Sequence, residues 1–325
     1  MNPIGGYFEL ELPRGEEYHK NAIRLNTGRN AFEYVLRAKG YKKVFLPYYT
    51  CDVMLEPVHK LKLNYDFYHI DQTFRPEFDF TIIKEDDVFV YNNYFGICDK
   101  QVNEVSNKCK NLIIDNAQAF YSKPLSGIDT FYSPRKFFGV PDGAYLYTDK
   151  EIDFKLEQDI SFQRCEHLLG RIDSGAEDFY EKFKANDQNL SNQQMKRMSN
   201  LTLKLLKSIN YISIKNKRQE NFKCVNDSLK SFNELRIETD EEDVPMVYPF
   251  LKRGNTKTKE FLLKNKIFTA TYWPSVKGWL NKSNCYESYL VDNLISIPID
   301  QRYDIEDLRE LLKHILEFYY INIVL

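Results

Sequence analysis

The chain is poor in the features that mark several protein classes. Its 325 residues include only 13 Gly, 12 Pro, 6 Cys, 5 His and 2 Trp. So little glycine and proline excludes a collagen-like or low-complexity chain. The cysteines, Cys51, Cys98, Cys109, Cys165, Cys224 and Cys285, form no CxxC pair, and no histidine falls near them at metal-ligand spacing. Neither a disulfide framework nor a metal site is expected, and the thiols read as reduced and mostly buried. No run approaches the roughly 20 uncharged apolar residues that span a bilayer. The stretch MNPIGGYFELELPRGEEYHK lacks the basic-then-apolar order of a secretion signal. A cytoplasmic protein with no membrane partner is expected. An excess of one charge is missing too: 45 Lys+Arg stand against 47 Asp+Glu, a net charge of -2. Nothing in that balance draws the chain toward nucleic acid.

What the sequence does hold is apolar and aromatic. Hydrophobic residues make up 43% of it, with 23 Tyr and 23 Phe, enough to fill the core of two domains or of one large α/β unit with an appendage. From Asn26 to Thr148, helix-period segments alternate with short apolar runs. Helices are expected over Ala31–Ala38, Asp52–Leu61 and Gln101–Lys110, and strands over Lys43–Leu46, Tyr65–His69, Val88–Tyr91 and Asn111–Ile114. Short buried strands between helices indicate an α/β fold with a mostly parallel sheet covered on both faces. Ligands of such sheets sit beyond the carboxyl ends of the strands.

Farther along, Arg171–Ser191 reads as an exposed connection with helical pieces and Met198–Leu229 as long, charged and helical. After an acidic loop, Asp240–Asp243, strands are expected at Pro245–Phe250, Ile267–Tyr272 and Leu294–Ile299, and helices at Thr258–Lys264 and Ile305–Ile321. The division that follows is a large domain over 1–230, with an N-terminal arm and a helical connection, and a small α/β domain over 231–325.

Two stretches carry chemistry. Asp115 closes the apolar run Leu112-Ile-Ile, with Gln118 three residues on; a carboxylate there can pair with a cationic ligand nitrogen and an amide can bond a ligand oxygen. Lys136 follows in the turn Ser133-Pro-Arg-Lys136, ahead of Pro141-Asp-Gly-Ala144, and an amine in a partly desolvated pocket is a usable nucleophile. Upstream, Leu25-Asn-Thr-Gly-Arg-Asn-Ala31 opens a helix. Its residues Gly28, Arg29 and Asn30 stand where backbone N–H groups can bind a phosphate, which is favoured for Gly28 over the relief of a strained strand-to-helix turn.

In this order these segments resemble the DegT-type (DegT/DnrJ/StrS) sugar aminotransferases, fold type I enzymes dependent on pyridoxal 5'-phosphate (PLP). The resemblance extends to Gly5-Gly-Tyr-Phe-Glu9 as the N-terminal arm, Phe45-Leu-Pro-Tyr-Tyr-Thr-Cys51 as the turn supplying a ring that stacks on the cofactor, and Tyr94-Phe-Gly96 as the strand end facing substrate. It implies a large domain of aminotransferase fold type I. It implies that Lys136 forms a Schiff base with PLP, that Asp115 keeps the pyridine nitrogen protonated, and that Gln118, Gly28, Arg29, Asn30 and Ser133 hold the cofactor. Strict counting from Pro47 puts Cys51 at the stacking position, whereas Tyr49 supplies a ring. Tyr49, Cys51 and Tyr94 are open between pocket lining and core. Trp273 and Arg302 could line a cleft, or could serve in core packing and a surface ion pair.

The implied activity moves an amino group from an amino acid, glutamate, to a nucleotide-linked keto sugar in surface polysaccharide or related sugar biosynthesis, in a homodimer. Two alternatives stand beside it. One is a PLP-dependent sugar dehydratase of the same fold, whose relatives tend to replace the lysine. The other is a non-catalytic ligand-binding or scaffold relative. The chain departs from the family pattern in a trimmed Gly96–Asp115 connection, in Arg29 where a Thr is expected, and in Phe131 where a Ser is expected, with Ser133 nearby.

Overall fold

The apolar runs bounded by turn residues become the strands of the computed structural model, which describes residues 4–236, 238–280 and 285–323. In chain order the elements are β1 (Ile23–Leu25), α1 (Gly28–Lys39), β2 (Lys43–Pro47), α2 (Leu55–Lys60), β3 (Asn64–Ile70), β4 (Pro76–Glu77), β5 (Asp87–Asn92), α3 (Asp99–Ser106), β6 (Leu112–Asn116), β7 (Asp129–Tyr132) and β8 (Ala144–Tyr147). Then follow α4 (Glu166–Ser174), α5 (Tyr180–Asn189), α6 (Asn200–Lys207), α7 (Tyr211–Leu229), β9 (Val247–Leu251), α8 (Asn255–Lys264), α9 (Val276–Trp279), α10 (Tyr286–Asn293), β10 (Leu294–Pro298) and α11 (Ile305–Ile323).

Eight strands form one sheet in the order β1-β8-β7-β6-β5-β2-β3-β4. The central strands β3, β2, β5, β6 and β7 are mutually parallel, while β1, β8 and β4 pair antiparallel at the edges. The period-2 alternation of a strand sends neighbouring side chains to opposite faces. Val88, Val90 and Ile113 thus join the layer under α1 and α2 with Phe32, Val35 and Val58. Phe89, Tyr91, Leu112 and Ile114 join the opposite layer with Val102 and Val105 of α3. Each such side chain contributes roughly 1.5–3 kcal/mol through burial, so the sheet is committed on both sides and its polar strand ends are left for ligands. A third core gathers Phe222, Val225 and Leu229 of α7 with Tyr248, Phe250, Ile295, Ile297, Leu308, Leu312 and Ile315, around the antiparallel pair β9 and β10.

The expected helical regions resolve into defined helices, and one expected strand does not form. The helical stretch Met198–Leu229 is two helices, because Ser199 and Asn210 each act as an N-cap, accepting from the N–H of Thr202 and of Ser213. The connection Arg171–Ser191 lies largely in α4 and α5, separated at Gly175. Ile267–Tyr272 is no strand: it meets β10 at a single bridge, Ala270 to Ser296, and otherwise runs as a loop toward the sheet's ligand end. No described helix is long and apolar enough to cross a membrane.

Candidate active site

The parallel strands end in polar residues: Asn92 closing β5 with Asn93 after it, Asp115 on β6, Ser133 after β7. They meet the first turn of α1, the loop after β2 and the Tyr272–Trp273 segment around a cavity of about 200 Å³. Its wall includes Gly28, Arg29, Cys51, Asp115, Gln118, Ser133, Lys136 and Trp273. Sequence reasoning singled out all of these, although they are spread over nearly 250 positions of chain.

Asp115 is half-buried because it opens on the cavity and not on bulk water. Its Oδ1 accepts from the Ala117 N–H at 2.7 Å. Burial pushes its carboxyl up to about 6, against the lowering effects of that hydrogen bond and of Lys136. Gln118 anchors itself by accepting from the Phe95 N–H at 3.0 Å, and its buried Nε2 has no partner among the described residues. Gly96 makes this anchoring possible. At φ 70 it sits against the carbonyls of Gln118 and Val244, where a Cβ would approach to 3.0 and 3.1 Å.

Lys136 ends a tight turn in which Phe137 and Phe138 donate to the Pro134 carbonyl at 3.0 and 2.9 Å. The Phe137 carbonyl is held from the far side by Gln301 Nε2 at 2.7 Å and by Arg218 at 3.4 Å. The lysine points into the cavity with Nζ 5.6 Å from the Tyr272 ring centroid. Burial pushes the Tyr272 phenol up to about 12, so it stays neutral beside the amine. Gly143, at φ 112, lets the chain pass Thr202, Met198 and Pro134 at this turn. Asp142 beside it is buried and tied to Thr202 and Arg164.

At the α1 N-terminus the Thr27 hydroxyl accepts from the Asn30 N–H at 3.1 Å and the Thr27 carbonyl from Ala31 at 3.0 Å. The first-turn N–H groups of Gly28 and Arg29 have no acceptor among the described residues. Gly28 does not adopt positive φ, and a Cβ there would meet Phe131 and Ser133 only at ordinary contact, 3.9–4.0 Å. Relief of a strained turn therefore does not account for this glycine, whereas an open cradle in front of free N–H groups does.

Asn30, Tyr49 and Tyr94 are not on the wall. Asn30 is buried and bonds Asn26 Oδ1 and the Gln194 carbonyl at 2.8 and 3.0 Å. The Tyr94 hydroxyl donates to the Tyr49 carbonyl at 2.9 Å, and the Tyr49 ring lies edge-on to Trp273 at 5.0 Å. Of the two candidates for the stacking position, Cys51 faces the cavity and Tyr49 stands behind it. The Cys51 thiol is pushed up by burial, partly offset by Lys136. Arg302 lies elsewhere, paired with Asp300 at 2.6 Å.

The wall also holds Thr50, Asn92, Asn93, Arg135, Asp187 and Leu190, which sequence reasoning did not select. Asn92 and Asn93 were findable as polar residues after a strand. Asp187 and Leu190 carry no local signal, since α5 reaches the site only by tertiary packing.

No family model matches this sequence, and none of the curated proteins matches it by sequence. Its fold, however, is that of the PLP-dependent sugar aminotransferases of fold type I. A DegT DnrJ EryC1 StrS aminotransferase from Brucella abortus is 14% identical, over 91% of this chain and 85% of that one, with a TM-score of 0.62. The sugar aminotransferase CalS13 from Micromonospora echinospora is 13% identical, over 91% and 87%, with a TM-score of 0.61. The protein Spr1654 from Streptococcus pneumoniae, in its PLP form, is 16% identical, over 90% and 86%, with a TM-score of 0.64.

Proposed function

We propose that this protein is a PLP-dependent aminotransferase that passes nitrogen from an amino acid, glutamate, to a nucleotide-linked keto sugar in surface polysaccharide or related sugar biosynthesis. The observation that carries the reading is one cavity with a carboxylate that makes no ion pair among the described residues, an amine, and an open helix N-terminus. The residues fit PLP: Asp115 would take the protonated ring nitrogen, the unpartnered Gln118 Nε2 a ring oxygen, and the Gly28–Arg29 turn with Ser133 the phosphate. Bound there, PLP supplies an electron sink for the carbanion left when an amino acid loses its α-proton.

The chain's own residues do the rest. Among the described residues Lys136 is the only one on the wall with a primary amine; it would tether the cofactor and, once displaced by the donor's amine, move the proton at its Nζ. Asp115, held by the Ala117 N–H, keeps its negative charge opposite the ring nitrogen, which reverses the cost of burying it alone. Trp273, buried on the same wall, would limit water there. A second copy of the chain is the expected partner, supported by Ile4, Tyr7, Phe8 and Leu10, apolar and exposed on the N-terminal arm; sedimentation of the purified protein tests it.

Incubation with PLP followed by borohydride should fix the cofactor on Lys136, and Lys136→Ala should abolish the adduct and lower amino transfer by about 10² to 10⁴. Absence of an adduct in the unaltered protein would sink the reading.

A further inference from the structure

Arg135 and Asp187 of the cavity wall have no role described so far, and Arg29 has one only as part of the turn that opens α1. Arg29 leaves the first turn of α1, and its side chain is only 10% exposed. Its buried Nε and Nη1 have no hydrogen-bond partner among the described residues. Glu56 forms an ion pair with Arg29, Oε2 to Nε at 3.6 Å, but at a distance beyond hydrogen-bond reach, and its Oε1 accepts from the Asn192 N–H at 2.8 Å. An enclosed guanidinium with an unused N–H fork is costly unless something binds it.

Arg135 precedes Lys136 and reaches the same end of the cavity. Its Nη1 donates to Asp187 Oδ1 at 3.1 Å, and that carboxylate is 53% exposed and free to turn outward. The guanidinium of Arg29 is close enough to disfavour the charge of Arg135, adding to the effect of burial. Two guanidiniums on one cavity wall, each with a carboxylate partner that leaves donors unused or can turn outward, together with the free N–H groups of Gly28 and Arg29, describe a receptor for a dianion.

We infer that Arg29 and Arg135 form a two-guanidinium clamp for the dianionic phosphate of a phosphate monoester, with Asp187 as a placeholder that the ligand displaces from Arg135. A planar N–H fork matches two phosphate oxygens, which a hydroxyl at position 29 could not do. The clamp deepens the reading of the site as a PLP site, on which it rests for the identity of the ester; the anion receptor itself rests on the Nε and Nη1 of Arg29, buried and without a hydrogen-bond acceptor among the described residues.

The test uses inorganic phosphate as the probe, titrated calorimetrically into the full chain freed of cofactor, at constant ionic strength set with chloride. Phosphate should bind the unaltered protein, and Arg29→Gln and Arg135→Gln should each weaken it about tenfold or more. Asp187→Asn should tighten it severalfold by freeing Arg135, a gain that damaged folding cannot imitate. Phosphate affinity unchanged in the double Arg→Gln variant, or loosened by Asp187→Asn, overturns the clamp. PLP and pyridoxal then separate the two ideas. Arginine-dependent phosphate binding without any borohydride-fixed PLP at Lys136 leaves the clamp and removes the cofactor reading. A PLP adduct whose preference over pyridoxal survives both arginine substitutions removes the clamp alone.

Discussion

Asp115 gives this site its clearest pH signature. Burial raises its carboxyl from 3.8 to about 6 on folding, only partly offset by the Ala117 N–H and Lys136, so between those values the folded chain keeps a proton that the unfolded chain has released. Stability of the cofactor-free protein should therefore fall as pH rises through that window and stay low above it. Asp115→Asn should stabilise the cofactor-free protein near pH 8 by on the order of 2 kcal/mol, give no gain near pH 4, and abolish amino transfer. Urea unfolding at the two pH values checks it; equal effects at both would mean that the carboxylate already has a partner. Gly28 offers a companion test. A methyl group meets nothing closer than 3.9 Å, so Gly28→Ala should leave the cofactor-free chain unchanged or about 0.5–1 kcal/mol more stable, since alanine is the better helix former. The same change should weaken PLP binding, measured by titrating the cofactor's absorbance.

At the scale of elements, the turn after β5 and the loop before β9 meet at Gly96. Both atoms that crowd it, the carbonyls of Gln118 and Val244, belong to the backbone and cannot swing aside. The Met246 N–H also bonds the Phe95 carbonyl at 2.8 Å across the same junction. Gly96→Ala should therefore cost about 2 kcal/mol or more, from positive φ and contact together. Because Gln118 moves with the turn, PLP affinity should fall with stability. A variant with unchanged urea midpoint and unchanged PLP affinity would show the junction to be looser than its geometry.

Across the whole molecule, the Lys136 turn is tied to the C-terminal elements by one buried side chain. Arg218 of α7 is 1% exposed, donates to the Met246 carbonyl at 3.0 Å and to Gln301 Oε1 at 3.0 Å, and lies over the Phe137 ring at 4.6 Å. Arg218→Leu leaves the carbonyls of Met246 and Pro245 without their donor, at a cost of about 3 kcal/mol. It should also shift the absorbance of bound PLP, because the turn that carries Lys136 loses part of its support. Thermal unfolding together with the cofactor spectrum reads both effects, and a stability loss with an unaltered spectrum would confine Arg218 to packing.

The strands and helices around the cavity were legible in the sequence because short apolar runs such as Leu112–Ile114 and the helix-period stretch Ala31–Ala38 have few conformations that bury them. The end of β6 was legible as well, since a carboxylate closing an apolar strand is placed by strand geometry alone. Capping by Ser199 and Asn210 is local chemistry and could have been read, whereas the loss of the strand at Ile267–Tyr272 could not, because pairing depends on what else occupies the sheet edge. The sequence by itself determined the alternation of elements, the parallel sheet, and the order in which Gly28, Asp115, Gln118 and Lys136 arrive at its ligand end. Only the tertiary structure decided which groups share one enclosure: Cys51 and not Tyr49 on the wall, and Asp187 of α5 beside Arg135. Burial, the cost of a buried donor without an acceptor and the sharing of one wall by Arg29 and Arg135 are properties of segments far apart in the chain, and no local pattern encodes them.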